Sequence, residues 1–456
     1  MAHLLLEDLR NELKSDDVKH QRLTSNEVAA DLLYINTLCD DTLIQQVIIS
    51  PFFHARNEEE FRHILMSNPH YTPFAENTNL KTLKDQLFQG QVIVQAGGWL
   101  CLFNAKNIIT KTPDDVKVET TVLGPQKGLS EDLQTSINLI RNRYHNPSLH
   151  VDLRKIGNRT QTPFALLYDQ GLVDPDLLHE VNQRLSKVNL DVVQSVGQVA
   201  RHLSERGNIL FPTIMTTDRQ DRIVLNLSQG KIILFLHGTS FALIVPTVFF
   251  DFYSAMDDLY QPYLVGKFLL FLRYIGLFFS IVLPGVYVAS VSYNPEVFRV
   301  QLAFSIAGSR TAVPYPSYLE VLFMLIMMEL LTEASLRLPK AIGQTAATVG
   351  GLILGEAATQ AGLVSSIMII LIAGVAISNF VIPINTMGFA MRVVKYLILL
   401  LATFYGLLGV VGGFLFLIGY LTHLRSMGQP FFKMFRQVES SSDTKGKATN
   451  RKVASK

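Results

Sequence analysis

Residues 164–174 read Phe164-Ala165-Leu166-Leu167-Tyr168-Asp169-Gln170-Gly171-Leu172-Val173-Asp174, and the chain has said much the same before. Residues 31–40 read Asp31-Leu32-Leu33-Tyr34-Ile35-Asn36-Thr37-Leu38-Cys39-Asp40, which share Leu-Leu-Tyr and a later Leu-x-Asp at an offset of 134. Downstream, Leu43, Ile44 and Val47 match Leu177, Leu178 and Val181 at the same offset. Each copy has a short apolar run, a turn, and then apolar residues at helical spacing, so each predicts a buried strand followed by an amphipathic helix. A second pair lies beyond. Gln89-Gly90-Gln91-Val92-Ile93-Val94 resembles Gln229-Gly230-Lys231-Ile232-Ile233-Leu234 at an offset of 140. Gly98 and Gly238 follow, each with another apolar run, which predicts two strands joined by a glycine turn. Two pairs in the same order predict a duplication. The expected subdomains are α/β units at about 25–110 and 155–265, after an N-terminal segment at 1–24.

The linker at 111–154 contains Gly124, Pro125 and Gly128 in a turn, then a helix. Ser130 is the expected cap, Glu131 and Asp132 fit the first turn, and Leu133, Ile137 and Ile140 make one apolar stripe. Arg141 and Arg143 suit its C-terminal end. Such a helix either packs on the sheets as a connector or docks a neighbouring subunit. Gly-Pro-Gln-Lys-Gly lacks the Gly-Lys-Ser/Thr ending of a phosphate-binding loop. There is also no His-Glu-x-x-His and no Gly-x-Ser-x-Gly. The eleven histidines are scattered, and the two cysteines, Cys39 and Cys101, exclude a disulfide framework or a multi-cysteine metal site. No enzyme, cofactor or metal is expected.

Charge divides the chain. Of 456 residues 17% are charged, with a formal net charge of +2, which argues against a nucleic-acid binder. Residues 266–430 hold only 14 Asp, Glu, Lys or Arg and no Asp, whereas the first 265 residues hold 55. The 266–430 region is therefore expected to be an all-α transmembrane bundle, followed by a basic tail at 431–456. Spans of about 20 apolar residues are read at 269–291, 318–338, 342–363 and 367–387. A run at 393–424 is too long for one crossing unless Gly406, Gly409, Gly412 and Gly413 divide it. Residues 292–316, with Pro295, Pro314 and Pro316, read as a loop or re-entrant segment. Five to six crossings result. The start of the chain lacks the pattern of a secretory signal, which predicts a cytoplasmic N-terminal domain. The basic turns at Arg337/Lys340 and Arg392/Lys395 and the basic tail fall on that same side, as positive charge prefers, which favours six crossings.

Acids in an apolar bundle are expensive and face its interior or a water path. Glu329 and Glu333 share one helix face, Glu320 lies opposite, and Arg337 is the local partner for Glu333. Gln344, Glu356 and Asn379 add polarity to the following helices, while Gly351 and Gly355 suit close helix packing. One reading makes Glu320, Glu329, Glu333, Arg337, Gln344, Glu356 and Asn379 a cation route. Another leaves Glu333 and Arg337 at a wetted helix end and the amides in plain helix–helix hydrogen bonds.

The chain resembles the A subunit of the GerA-type spore germinant receptors of endospore-forming bacteria, from about residue 34 to 432. The resemblance rests on Tyr34–Asp40 with Pro51, Gly124-Pro125 with Gly128, Asn138-Leu139-Ile140-Arg141-x-Arg143 and Phe211-Pro212-Thr213. In the apolar half it rests on Leu283-Pro284-Gly285-x-Tyr287-Val288-Ala289 and on Val313-Pro314-x-Pro316 with Glu320. It continues through Glu329 to Glu333-Ala334-x-x-Arg337-Leu338-Pro339 and Ile342-Gly343-Gln344. Gly351-Leu352-x-Leu354-Gly355, Ala361-Gly362-Leu363-Val364-Ser365 and Gly428-Gln429-Pro430 complete it. It implies a multi-pass protein of the spore inner membrane that works with receptor B and C subunits and assembles as a homo-oligomer. It also implies that the protein converts nutrient binding into release of monovalent cations. The chain departs from the family at His237-Gly238-Thr239-Ser240 and Thr217-Asp218-Arg219-Gln220-Asp221-Arg222, and Glu356 stands where Gln is common. An accessory A-like protein that amplifies germination, or a secondary transporter, are the alternatives. A transporter predicts inverted repeats, and the only repeat visible lies in the soluble half.

Overall fold

Two five-stranded antiparallel sheets with the same topology make up the first half of the chain, which is here a computed structural model. It describes residues 12–433 together with Leu6 and Leu9, apart from 14, 26–27, 74–79, 108–114, 117 and 206–209. The side chains of Leu336, Lys340, Ala341, Gln344, Ala346 and Ala347 are also outside the description.

The first sheet runs β1-β2-β4-β5-β3, from β1 (Val18–Thr24), β2 (Ala29–Ile35), β3 (Tyr71–Pro73), β4 (Gln91–Ala96) and β5 (Trp99–Asn104). The second runs β6-β7-β9-β10-β8, from β6 (Leu149–Ile156), β7 (Thr162–Asp169), β8 (Met215–Thr217), β9 (Ile232–Leu236) and β10 (Ala242–Val245). The expected starts at 25 and 155 fall at the ends of β1 and β6, so each sheet begins one strand earlier. Leu-Leu-Tyr lies in the second strand of both, β2 and β7. The Asp of Leu-x-Asp caps the helix that follows. Asp40 accepts the Thr42 amide at 2.8 Å before α1 (Asp41–Ile44). Asp174 accepts the Asp176 amide at 3.0 Å before α4 (Pro175–Ser186).

Helices cover both faces of each sheet, so the central strands are apolar throughout rather than alternating. Leu83 and Leu87 of α2 (Leu80–Leu87) pack on one face of the first sheet, and Ile44, Ile48 and Phe52 on the other. In the second, Ile223 and Leu227 of α5 (Gln220–Leu227) oppose Leu177 and Val181 of α4. Gly90 and Gly230 have φ of 87° and 74°, a left-handed conformation that ends the helix before each fourth strand. In the hairpins the left-handed residues are Gly97 and Gly238. Gly98, aligned with Gly238 by sequence, is the second residue of the Gly97–Gly98 turn, as Gly238 is the second of His237–Gly238.

The linker helix α3 spans Leu133–Arg141. Its cap is Asp132, which accepts the Thr135 amide at 2.8 Å, two residues after the expected Ser130. Leu133, Ile137 and Ile140 bury against the second sheet. The helix is thus a connector within the chain. Arg141 does not decorate the helix end but is fully buried, and it donates twice to Asp17 at 2.6 and 2.7 Å. Asp17 also accepts from Thr37 at 2.8 Å, and Asn138 donates to the Thr37 carbonyl at 2.7 Å. The first sheet is tied to the second through this network.

The second half is helical: α6 (Asp257–Tyr260), α7 (Tyr263–Ser292), α8 (Val300–Ser309), α9 (Ser317–Arg337), α10 (Lys340–Gln360), α11 (Ser366–Phe380) and α12 (Asn385–His423). Among the described residues, α7 and α12 are long and apolar enough to cross a membrane. The ten-residue α8 lies within 292–316, the stretch read as a loop or re-entrant segment. α12 is two arms rather than one rod. Gly406 breaks it with φ 57° and ψ −138°. The second arm folds back so closely that a Cβ on Gly409 would strike the Leu401 carbonyl, and one on Gly413 would lie 3.2 Å from Ile398 Cγ1. α7 lies against both arms, with Gly285 facing Ile398, Ala402 and Val410. After α12, β11 (Arg425–Ser426) and β12 (Gln429–Pro430) return to the second sheet. The Ser426 hydroxyl donates to the Thr213 carbonyl at 2.6 Å, and the Phe249 amide donates to the Phe431 carbonyl at 2.8 Å. The helical half therefore starts and ends at the same soluble subdomain.

Candidate functional site

Polar groups in the helical half fall into three levels. At the end far from the sheets, Glu320 in the first turn of α9 is buried. Its Oε1 accepts the Ser365 amide at 2.7 Å and its Oε2 lies 3.2 Å from Arg310 Nε. That carboxylate joins the end of α8, the start of α9 and the α10–α11 turn. Ser292 and Ser317 hydroxyls meet at the same level, 2.5 Å apart.

Deeper, Glu329 of α9 is held by two cations of α12: Arg392 at 3.2 Å and Lys395 at 3.1 Å. Lys395 is fully buried, so it relies on this carboxylate for compensation. Asn379 of α11 accepts from Ser280 of α7 at 2.5 Å. These contacts cross between helices. Glu329 and Glu333 are thus not a repelling pair, because each has its own cation.

Glu333 is different. Its partner is Arg337 at 2.6 Å, as the spacing predicts, but both side chains are exposed and stay within α9. Glu356 of α10 is also exposed and accepts from Gln360 at 3.1 Å. Gln344 lies on α10, and its side chain is outside the described residues. Among the expected residues whose side chains are described, Glu320, Glu329 and Asn379 tie helices together, while Glu333, Arg337 and Glu356 face outward.

Gly351 packs on Leu331, with a Cβ position 3.5 Å from Leu331 Cδ2, and Gly355 lies near Ile369. Both have ordinary room. The tighter approach is Gly350, at 3.0 Å from Leu331 Cδ1. A cavity of about 1070 Å³ opens between α9, α10 and α11, lined by Met324, Met328, Leu331, Gly351, Gly355 and Phe380.

The cationic partners Arg310, Arg392 and Lys395 were missed as site residues. The signal was present, since a buried carboxylate demands a counter-charge and few cations remain in this half. Which cation meets which acid depends on helix packing, which spacing along one helix cannot report.

A second polar cluster lies where the soluble and helical halves join. Arg219 donates to Asp221 at 3.0 and 2.6 Å and to the Glu119 carbonyl at 2.9 Å. Arg222 donates to the Glu119 carboxylate at 2.7 and 2.5 Å and to the Ser254 carbonyl at 2.6 Å. Glu119 accepts the Met256 amide at 3.0 Å, and Tyr260 of α6 donates to Asp221 at 2.5 Å. Burial pushes the Asp221 carboxyl up, but the hydrogen bonds from Arg219 and Tyr260 outweigh it and hold its pKa below the ordinary value. Burial and the bond to Asp221 push the Tyr260 phenol up to about 12. The Thr217–Arg222 run thus holds the linker, α5 and the approach to α7 together.

Among the described residues no group of three or more His, Cys, Asp or Glu side chains is placed to share a metal ion.

A family model described as GerA, Bacillus/Clostridium GerA spore germination protein, matches residues 5–453. The chain is 34% identical over 410 residues to spore germination protein B1 of Bacillus subtilis strain 168, covering 88% of this chain and 84% of that protein. It is 37% identical over 313 residues to spore germination protein GerLA of Bacillus cereus, covering 69% and 64%. The solved N-terminal domain of the A subunit of the Bacillus megaterium spore germinant receptor GerK3 is similar at 24% identity and a TM-score of 0.40. That likeness covers 54% of this chain and 94% of the domain.

Proposed function

The chain belongs to the Bacillus/Clostridium GerA family of spore germination proteins, and on that premise we propose that it converts nutrient binding into cation release across the spore inner membrane. It does so as the A subunit of a germinant receptor, alongside B and C subunits. Several copies assemble, and the cation path runs between them.

The observation that carries this reading is the split among the acids. Glu320 and Glu329 are paired with cations inside the bundle, whereas Glu333, paired with Arg337, and Glu356, bonded to Gln360, face outward from α9 and α10. An ionised group cannot face hydrocarbon without a large cost. Facing a second copy across a water path removes that cost and gives a ring of carboxylates the chemistry to attract cations. The bundle leaves from and returns to the second sheet, which supports reading an even number of crossings. α7, α9, α10, α11 and the two arms of α12 make six, with α8 re-entrant. The sheets and the tail lie on the cytoplasmic side, with the basic turns.

Glu333→Gln and Glu356→Gln, expressed in spores lacking the native copy, test the path. With protein amounts matched, each variant slows nutrient-triggered release of monovalent cations, while Glu329→Gln lowers the amount of folded protein. Normal release in both outward-facing variants removes them from the path. A strictly monomeric purified protein removes the assembly.

A further inference from the structure

A tight turn carries two large apolar side chains into the open. Val122 and Leu123 are 82% and 60% exposed, yet their backbone is pinned. The Asp257 carboxylate accepts the Val122 amide at 3.1 Å and the Leu123 amide at 3.5 Å. Gly124, next in the chain, is so close that a Cβ would lie 2.6 Å from Arg219 Nη2 and 2.9 Å from Tyr260 Cε2. The loop is therefore held out rigidly by the Arg219–Asp221–Tyr260 cluster. Beside it stand Leu259 of α6, 59% exposed, and Tyr263 and Leu264 in the first turn of α7, 75% and 79% exposed. Two separate chain segments thus present one apolar face, which a soluble surface has no reason to build.

Its height is set by α7. Thirty residues at 1.5 Å each give about 45 Å, the thickness of a bilayer including both headgroup layers, ~40–45 Å. With Tyr293 at the far surface, Tyr263 and the 122–123 turn fall in the near headgroup layer. Tyrosines favour that layer. Lys267 sits over the Tyr263 ring, 5.5 Å from its centroid, and supplies positive charge there.

We infer that the turn at Val122–Leu123, with Leu259, Tyr260, Tyr263 and Leu264, docks on the membrane surface and sets the soluble subdomains at a fixed height above it. This rests on the reading of α7 as a membrane span. The occupant is lipid, because the face continues an apolar helix into the depth where acyl chains begin.

The test uses the full-length protein in nanodiscs, labelled with an environment-sensitive fluorophore at Leu123→Cys. Both native cysteines are buried, and burial pushes their thiols up to about 12, so they stay unlabelled. The label should be quenched several-fold more by a nitroxide near the lipid headgroup than by aqueous iodide. Stronger quenching by iodide overturns the docking. Shielding from both quenchers also overturns it, by showing a protein partner on this face. Phe278→Cys, further along α7, is the control. If a nitroxide deep in the acyl chain fails to quench it, the span itself fails. If it is quenched and the Leu123 site is not, only the docking fails.

Discussion

Arg141 shows what a single side chain does in this molecule. A guanidinium at the end of α3 donates twice to Asp17, which precedes β1, and once to the Ser15 hydroxyl at 3.3 Å, so one buried ion pair ties the two copies of the repeat together. Breaking a buried ion pair from one side costs about 3–5 kcal/mol, because the remaining charge stays dehydrated. Arg141→Ala is therefore expected to lower the midpoint of thermal unfolding markedly, whereas Arg143→Ala, two residues on and exposed, leaves it nearly unchanged. Calorimetry of the purified protein checks both. Asp221 adds a pH dependence. Its folded pKa is depressed, so its stabilisation is complete above the ordinary carboxylate value of about 4 and is lost as pH falls through the lowered value. Asp221→Asn removes that component. Below about pH 4, as pH falls through the lowered value, the wild-type melting temperature should fall more steeply than that of the variant. Parallel curves would show that Asp221 does not carry the acid sensitivity.

At the scale of elements, periodicity and repetition did well where the information is local. The duplicated Leu-Leu-Tyr and Leu-x-Asp motifs gave strand, cap and helix in both copies, because a buried strand and an Asp cap are written in adjacent residues. The glycine turns stand where the repeat places them, at Gly97–Gly98 and His237–Gly238, and only backbone geometry shows that the left-handed residue is Gly97 in one and Gly238 in the other. The long apolar run at 393–424 was read as divisible at glycine, and Gly406 is where it divides. The closeness of the two arms was not readable, because it depends on residues eight to fifteen positions apart meeting across the bend. That closeness makes a prediction. Gly409→Leu has no space against the Leu401 carbonyl, so it should force the arms apart and reduce the folded, membrane-inserted fraction several-fold, as measured by protease protection. Gly412→Leu, with nothing within 4 Å of its Cβ position, should insert normally. The acids were legible as unusual. Their partners were not, because Arg310, Arg392 and Lys395 reach them from other helices.

Across the whole molecule, the soluble subdomains and the helical bundle are joined at both ends of the bundle. Arg219, Asp221 and Glu119 fix the approach to α7, and β11–β12 clamp the exit of α12. Both clamps therefore sit on the second subdomain, one at the start of α7 and one at the end of the second arm of α12. The α9–α10 hairpin, with the outward Glu333 and Glu356, is not held by either clamp. The account places the cation path on that hairpin, between copies of the chain. The most direct measurement is cation release from spores carrying Glu333→Lys at normal protein abundance. A reversed charge in a cation path opposes entry at close range, so nutrient-triggered release should slow on the order of tenfold or more. Release at the wild-type rate would contradict the account, because it would mean that cations do not pass Glu333.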